Sequence, residues 1–267
     1  MNRFTPGSGV NLIVQADDYG MCPPVTNGIL RCFRAGVITQ ASVMYPAPDA
    51  PRALWLATQI GLPLGVHLTL MCEWEGLRWY PLTAAPSLRT DDGAFPPDLP
   101  SLKERATLEE AGEELRAQVL TVQAAGVRPT HMESHVRVFH EPLLESLREE
   151  FNLPCRDLSD HPEQARLDSV WHLSVQAPGE RTTALLDHVS ELKPGTHMVV
   201  AHPADDADLL STLCPPRSRR WKWARDIRLG DSASLLDPRF LALCTNKGVN
   251  LTTSAALCPG SSACQVP

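Results

Sequence analysis

Residues Val14–Gly20 read VQADDYG, and this short stretch decides how the rest of the chain is interpreted. It begins as an apolar run typical of a buried strand and ends in two adjacent acids, Asp17 and Asp18. Two like charges side by side disfavour ionisation and contribute nothing to folding. We therefore expect a positively charged partner at the point where this strand ends.

Apolar runs of strand length alternate with helical patterns on both sides of this stretch. The predicted strands are Val10–Ala16, Ile38–Tyr45, Leu64–Leu70, Pro129–Glu133, Leu153–Leu158, His197–His202 and Val249–Thr253. The predicted helices are Val25–Ala35, Ala50–Ile60, Thr107–Ala125, Glu141–Phe151, Thr182–Leu192 and Ser232–Lys247. Four of these helices end at a glycine shortly before a strand, which is typical of the loops in repeated β/α units.

About seven such units predict an α/β fold: a deformed, TIM-like (β/α) barrel of parallel strands. We expect residues 1–267 to form one domain, with its catalytic core at about residues 10–255. An open, doubly wound sheet is the alternative, because it shows the same alternation. Residues 258–267 are predicted to be a frayed tail.

Two segments interrupt the alternation. Residues 72–100 form a long loop rich in proline and glycine, with Trp74 and Trp79 near its start. Loops of this length are usually functional, so we predict a lid whose aromatic rings either stack on a ligand or are simply buried. The second segment contains RSRRWKWAR, residues 217–225, which we interpret mostly as a solvated loop, with Arg225 alone as a candidate site residue.

Composition excludes several classes of function. The 267 residues carry a net charge of −7, which argues against nucleic acid or an anionic membrane as the main partner. No apolar run approaches the roughly 20 residues of a membrane-spanning helix, and the first residues lack the apolar core of a signal peptide. The eight cysteines form no CxxC pair, so we interpret them as scattered reduced thiols and expect a cytoplasmic protein. The sequence is compatible with a homodimer.

Polar residues end several of the predicted strands. They are Asp17, Asp18, His67, His131, Glu133, His135 and His202. Because the carboxyl ends of parallel strands share one face of the fold, these residues are expected to meet there. Each one alone has a structural explanation, such as a turn opener or a buried core histidine. Their coincidence at four strand ends indicates a metal site with an accompanying acid and base.

Five motifs follow one another in a recognisable order. They are ADDYG (16–20), NGI (27–29), GVHLTL (65–70), PTHMESH (129–135) and AHP (201–203). This combination resembles the YdjC/ChbG family of carbohydrate deacetylases over nearly the whole chain. The resemblance implies a deformed (β/α) barrel that uses a divalent metal to remove an acetyl group from an N-acetylated amino sugar. It also implies that Asp18, His67 and His135 hold the metal.

One motif departs from the pattern of that family. Its usual form is THxDSHxHxH, whereas residues 130–139 read THMESHVRVF. Glu133 therefore replaces an aspartate, and Arg137 and Phe139 stand where histidines are common, although His135 is retained. The altered neighbours put the identity of the substrate in question more than metal binding.

For the amide hydrolysis that the resemblance implies, these residue types suit attack by a metal-activated water. Asp17 is the candidate general base, and His202 is the candidate acid because histidine titrates near the working pH. His131 and Glu133 are expected to support the ligands or to touch the sugar. The imidazole-rich ligand set suits Zn²⁺, and the resemblance also allows Mg²⁺.

Two other functions share these features. A metal-dependent phosphoesterase also uses Asp and His ligands, although it often holds two metal ions. A sugar-binding barrel without catalytic activity would be expected to have lost part of the metal site, whereas Asp18, His67 and His135 are all present.

Overall fold

Parallel strands alternate with helices along residues 9–136, 141–158 and 167–257, which the computed structural model describes. The strands are β1 (Val10–Tyr19), β2 (Gln40–Val43), β3 (Leu64–Leu68), β4 (Met132–Ser134), β5 (Ser169–His172), β6 (Gly195–Ala201) and β7 (Asn250–Thr252). The helices are α1 (Pro23–Arg34), α2 (Ala50–Ile60), α3 (Leu99–Arg105), α4 (Leu108–Ala124), α5 (Glu141–Phe151), α6 (Arg181–Glu191), α7 (Ala207–Leu210), α8 (Ile227–Leu235) and α9 (Pro238–Lys247). The predicted tail at 258–267 lies outside the described residues.

The strands form one curled parallel sheet with helices around it. Their order is β4-β3-β2-β1-β6-β5, and β7 also pairs with β1. The central strand β1 is buried almost throughout, which explains its continuous apolar run, because a strand covered on both faces needs no polar alternation. The prediction of a deformed, single-domain (β/α) barrel is confirmed.

The end of β1 departs from regular strand geometry at its two acids. The register of β1 against β2 shifts between Ala16 and Tyr19, and Asp18 has a φ of 67°. In a regular strand, neighbouring side chains point to opposite faces of the sheet. A local irregularity re-aims them, and aspartate tolerates the left-handed conformation better than most residues. Asp17 and Asp18 can therefore both reach one polar centre.

The prediction of a strand at Leu153–Leu158 is wrong. Cys155 forms an isolated parallel β-bridge with Met132, and Arg156–Leu158 is a 3₁₀ turn. The Asp157 side chain accepts a hydrogen bond of 2.6 Å from the backbone N–H of Ser134 in β4, so a side chain replaces the ladder that a strand would continue.

The fifth strand is instead β5, which pairs with β6. It has four residues, too few to show a clear period in the sequence. The helix predicted at Ser232–Lys247 is divided into α8 and α9. The Asp237 side chain caps α9 by accepting from the N–H of Arg239 at 2.9 Å, and Pro238 cannot continue the preceding helix.

The loop at residues 72–98 is fastened to the barrel by α4. The buried carboxylate of Glu114 accepts from the N–H and the hydroxyl of Thr83 at 2.9 and 2.8 Å, and from Gln118 at 2.9 Å. Gln118 in turn bonds both backbone groups of Thr69, directly after β3. The loop is thus held against the end of β3 by hydrogen bonds through the buried side chains of Glu114 and Gln118.

Five cysteines of the described residues are buried and form no disulfide: Cys22, Cys32, Cys72, Cys214 and Cys244. Cys258 and Cys264 lie outside the described residues. Within the part of the chain that the structure describes, no helix combines the length and the apolar character that crossing a membrane requires.

We predict from the Glu114 contacts that this side chain stabilises the folded protein. We expect Glu114→Ala to lower the free energy of unfolding by about 2–3 kcal/mol, because it removes the acceptor of the buried Gln118 amide and of the half-buried Thr83. Urea denaturation measures this loss. The neighbouring Glu113 is exposed, so Glu113→Ala is the matched control and should leave stability within about 0.5 kcal/mol of the wild type. Equal effects of the two substitutions would contradict this role of Glu114.

Candidate metal centre and active site

Three side chains from three strand ends converge on one point. Asp18 Oδ1 lies 3.2 Å from His67 Nε2 and 3.1 Å from His135 Nδ1, and the two ring nitrogens are 3.2 Å apart. Asp18 comes from the irregular end of β1, His67 from β3, and His135 from the residue directly after β4. The three predicted ligands are therefore brought together.

This donor set fits a single divalent cation. Donors that bind one cation at about 2.1 Å lie about 3.0–3.4 Å from one another, which is the spacing of these three atoms. The outer nitrogen of each imidazole is also occupied: His67 Nδ1 lies 3.2 Å from Ser42 Oγ, and His135 Nε2 lies 2.9 Å from Glu73 Oε1. Metal-binding histidines characteristically use their second nitrogen in this way, which fixes the orientation of the ring.

The centre is strongly electronegative. Burial alone would lower the pKa of both histidines. The carboxylates of Asp17, Asp18 and Glu133 nevertheless raise the pKa of His67 to about 9, and those of Glu73 and Asp18 raise that of His135 to about 10. The surroundings therefore favour positive charge at the point where the three donors meet.

Each acid of the ADDYG motif has its own arginine. Arg156 donates to the two oxygens of Asp17 at 3.1 and 2.7 Å, and Arg228 donates to Asp18 Oδ2 at 2.6 Å. Burial opposes ionisation of both acids, but these guanidinium groups hold both pKa values below their usual range. Neither arginine was identified from the sequence, because no motif marks residues more than 130 positions away as partners.

His202 lies beside Asp17 and is held by a serine and an aspartate. Its Nε2 is 3.9 Å from Asp17 Oδ2, and its Nδ1 is 2.7 Å from Ser174 Oγ. Ser174 donates to Asp231 Oδ2 at 2.9 Å, and the same oxygen accepts from the backbone N–H of His202 at 2.8 Å. Ser174 lies in a 3₁₀ turn and Asp231 lies in α8, and no sequence motif marks either residue.

These bonds define the proton arrangement of His202. Because the Ser174 hydroxyl donates to a carboxylate, its oxygen accepts from Nδ1–H, and Nε2 of the neutral ring carries no proton. Burial lowers the pKa of His202 to about 4, so the ring is neutral at pH 7. His202 must therefore accept a proton at Nε2 before it can donate one from that atom.

His131 and Glu133 lie behind the three ligands, inside the barrel. Glu133 Oε1 accepts from Gln15 at 3.1 Å and is 3.7 Å from His67 Nδ1, while its Oε2 is 3.6 Å from His131 Nε2. His131 packs so closely on β3 that a Cβ at Gly65 would lie 2.4 Å from its ring. Both side chains are buried, and neither is among the residues that line the cavity.

A cavity of about 340 Å³ opens beside the centre, large enough for a small ligand. Its lining residues are Asp18, Met71, Glu73, Trp74, Asp98, Leu99, His135, Val136, His202, Arg220, Trp223 and Arg228. Trp74 lines it although the side chain is buried, whereas Trp79 is fully buried and donates to the carbonyl of Met71 at 2.6 Å. Arg225 instead pairs with Asp226 at 3.0 Å and is not among the lining residues.

The interpretation of residues 217–225 as a solvated loop is wrong for Arg220 and Trp223. Both line the cavity, and the ring of Trp223 meets that of His202 edge-on, with centroids 5.3 Å apart. Trp223 belongs to a single π-helical turn at Lys222–Asp226. Such turns are rare and occur frequently at functional sites, but no sequence pattern announces them.

A curled parallel sheet with an Asp-His-His centre at the carboxyl ends of its strands defines a (β/α) barrel protein with a candidate metal site. Residues 11–246 match the family model described as "YdjC-like protein". The chain belongs to this family.

Two relatives that are more than 30% identical agree with this assignment, and two solved structures share the fold. A carbohydrate deacetylase of Geobacillus stearothermophilus is 32% identical over 90% of this chain and 95% of its own length. A chitooligosaccharide deacetylase of Yersinia pestis is 31% identical over 77% of this chain and 87% of its own length. An Enterococcus faecalis protein named for cellobiose-phosphate cleavage shares the fold, with TM-score 0.78 and 24% identity over 94% of this chain and 99% of its own. A family 4 carbohydrate esterase of Streptomyces lividans shares it more distantly, with TM-score 0.51 and 12% identity over 91% and 92% of the two chains.

We predict that the free energy of unfolding depends on pH through Asp231. Burial raises its pKa to about 6, against about 3.9 in an unfolded chain. Between these values the folded protein keeps a proton that the unfolded chain releases, so the contribution of Asp231 to stability is full below about pH 4 and is lost as the pH rises past about 6. Relative to wild type, we expect Asp231→Asn to gain about 3 kcal/mol of unfolding free energy between pH 4 and pH 7.

Urea denaturation at several pH values measures this difference. The exposed Asp208 provides the matched control, because Asp208→Asn should follow the wild-type pH profile. Parallel profiles for Asp231→Asn and the wild type would show that Asp231 does not titrate in this window.

Proposed function

We propose that this protein is a metal-dependent N-deacetylase of amino sugars or their oligosaccharides. The observation that supports this most directly is the convergence of Asp18, His67 and His135 beside Asp17 and His202, at the edge of a cavity. The family supports it as well, since similar chains are named as carbohydrate and chitooligosaccharide deacetylases.

Asp18, His67 and His135 would hold one divalent cation. When bound, that cation polarises the acetyl carbonyl and lowers the pKa of water. Two imidazoles and one carboxylate suit Zn²⁺ best among the common divalent ions, while Mg²⁺ prefers a ligand set richer in oxygen. We propose Zn²⁺ as the first ion to test and Mg²⁺ as the second.

Asp17 acts as the general base on the attacking water. Arg156 keeps its carboxylate ionised and fixed in orientation by two hydrogen bonds, so the proton acceptor is ready before the substrate arrives. The unprotonated Nε2 of His202 lies 3.9 Å from Asp17 Oδ2. It then receives the proton from Asp17 and delivers it to the departing nitrogen. An amine is a poor leaving group until it is protonated, so this delivery completes the cleavage.

The ring of His202 is prepared for this exchange by Ser174 and Asp231. Their chain of hydrogen bonds places the resting proton on Nδ1 and a carboxylate close enough to stabilise the ring when Nε2 also gains a proton. We propose both as positioning residues for His202.

A two-metal phosphoesterase is less consistent with the geometry. A second group of candidate ligands, Asp17, His67 and Glu133, shares His67 with the first. Arg156 occupies both oxygens of Asp17, so a second cation there would face a guanidinium group. A sugar-binding barrel without activity does not account for the paired Asp17 and His202. We also propose a cytoplasmic location, because the buried thiols of the described residues suit a reducing compartment.

Acetate release tests the proposed function. We expect the purified protein to release acetate from at least one of a set of N-acetylated mono- and disaccharides, with a chelator abolishing release and added Zn²⁺ or Mg²⁺ restoring it. An enzymatic acetate assay, with metal content measured in parallel, provides the readout. No release from any of these sugars, at one bound metal per chain, would overturn the proposal.

His202 and Ser174 allow the proton-transfer role to be tested separately. We expect His202→Ala to lower kcat by about 10²–10⁴-fold, and Ser174→Ala by about 10–100-fold, because the first loses the proton carrier and the second only its orientation. Metal content should be unchanged in both, since neither residue belongs to the ligand set. Wild-type kcat in His202→Ala, or loss of metal from it, would refute the assigned role.

A further inference from the structure

The cavity beside the metal centre contains an unusual concentration of unpartnered polar atoms. Ten buried side-chain nitrogen and oxygen atoms lack a hydrogen-bond partner among the described residues. Four of them, Glu73 Oε2, Trp74 Nε1, Arg228 Nε and Arg228 Nη1, belong to residues that line this cavity. Buried polar groups are almost always paired, because each unpaired one costs about 1–3 kcal/mol. Their clustering indicates a place prepared for a polar ligand.

Trp74 and Trp79 show that the unpaired indole is specific to the cavity. Both come from the loop at residues 72–98, and both are buried. Trp79 donates its indole N–H to the carbonyl of Met71 at 2.6 Å, as a buried tryptophan usually does. The ring of Trp74 lies against the Arg228 guanidinium, with Cζ 5.7 Å from the ring centroid, and its N–H has no acceptor within the described part of the chain.

Another part of the cavity lining offers an apolar surface. Trp223 is 39% exposed, lines the cavity, and lies next to the ring of His202. The segment that carries it is held near Asp98, another lining residue, because Arg220 donates to the carbonyl of Pro97 at 2.8 Å. The lining thus combines an exposed aromatic ring with unpaired donors and an acceptor.

A ligand that packs on the exposed ring and also pairs the polar atoms has one apolar face and several hydroxyl groups. A pyranose ring has this character: its C–H groups can lie on an aromatic ring while its hydroxyls both donate and accept. A purely apolar ligand would leave the donor of Trp74 and the acceptor of Glu73 unpaired. A simple anion would not use Glu73 at all, because a carboxylate can only accept.

We propose that Trp74 and Trp223 form the subsite for the sugar ring that carries the acetamido group: Trp74 donates its indole N–H to a ring hydroxyl, and Trp223 supports the ring beside His202. This inference rests on the proposed function and specifies which residues select the substrate. Trp74 acts as a hydrogen-bond donor, not as a stacking platform. Glu73, which also orients His135, is the matching acceptor.

The paired substitutions Trp74→Phe and Trp79→Phe test this subsite. Both remove an indole N–H from a buried ring of the same loop, but only Trp79 loses a hydrogen bond that the free protein makes. We expect Trp74→Phe to raise KM for the sugar about tenfold, with kcat changed less than about twofold. Trp79→Phe should leave KM unchanged and lower the thermal midpoint more than Trp74→Phe does. The reverse pattern, or equal KM values in Trp74→Phe and wild type, would overturn the role of Trp74.

A second set of substitutions tests Trp223, which lies outside the loop at residues 72–98. We expect Trp223→Leu to raise KM about tenfold and Trp223→Phe to restore most of the affinity, because an aromatic face is retained. Trp55 in α2 is 61% exposed and outside the cavity, so Trp55→Leu should match the wild type. Wild-type KM in Trp223→Leu would refute the subsite while acetate release by the wild type still supports the proposed function. Absence of release by the wild type would instead remove the proposed function and, with it, this inference.

Discussion

The irregular end of β1 sets the position of every other group in the site. A regular strand would send the side chains of Asp17 and Asp18 to opposite faces of the sheet. The shifted register and the left-handed φ of Asp18 bring both into the same centre, one as a candidate ligand and one as a candidate base. Left-handed backbone at a non-glycine residue costs about 1–3 kcal/mol and persists where the surroundings enforce it. Here the enforcing contacts are His67, His135 and two arginines.

Two adjacent carboxylates are tolerated because each is neutralised from a different direction. Arg156 approaches Asp17 from the turn after α5, and Arg228 approaches Asp18 from α8. Removing one member of a buried ion pair leaves an uncompensated charge and is strongly destabilising. The arginines thus connect distant parts of the chain to the catalytic end of the sheet. They also allow both acids to remain ionised before any cation arrives.

The fold and the polar residues at strand ends were predictable because they depend on local patterns, whereas the choice of Asp18, His67 and His135 as ligands came from the resemblance to the family. Strand runs, glycines after helices and polar residues at strand ends are all visible within a few positions of one another. The residues that the prediction missed act over long distances or in short elements. Arg156, Ser174 and Asp231 carry no signal in their neighbourhood, and the four residues of β5 are too few to show a period. Pro238, by contrast, marks a helix boundary that the sequence already contained.

The pairing of β7 with β1 brings residues that are far apart in the sequence into one polar network. Asn250–Thr252 joins Asn11–Ile13, and Ser254 exchanges hydrogen bonds with Gln40, which in turn holds Gln15 beside Glu133. The floor beneath the histidines therefore includes residues from both ends of the described chain. This polar network depends on contacts between residues far apart in the sequence, since Ser254 and Gln40 are 214 positions apart. Closing so long a loop costs more chain entropy than forming a local contact, so a network of this kind forms late in folding.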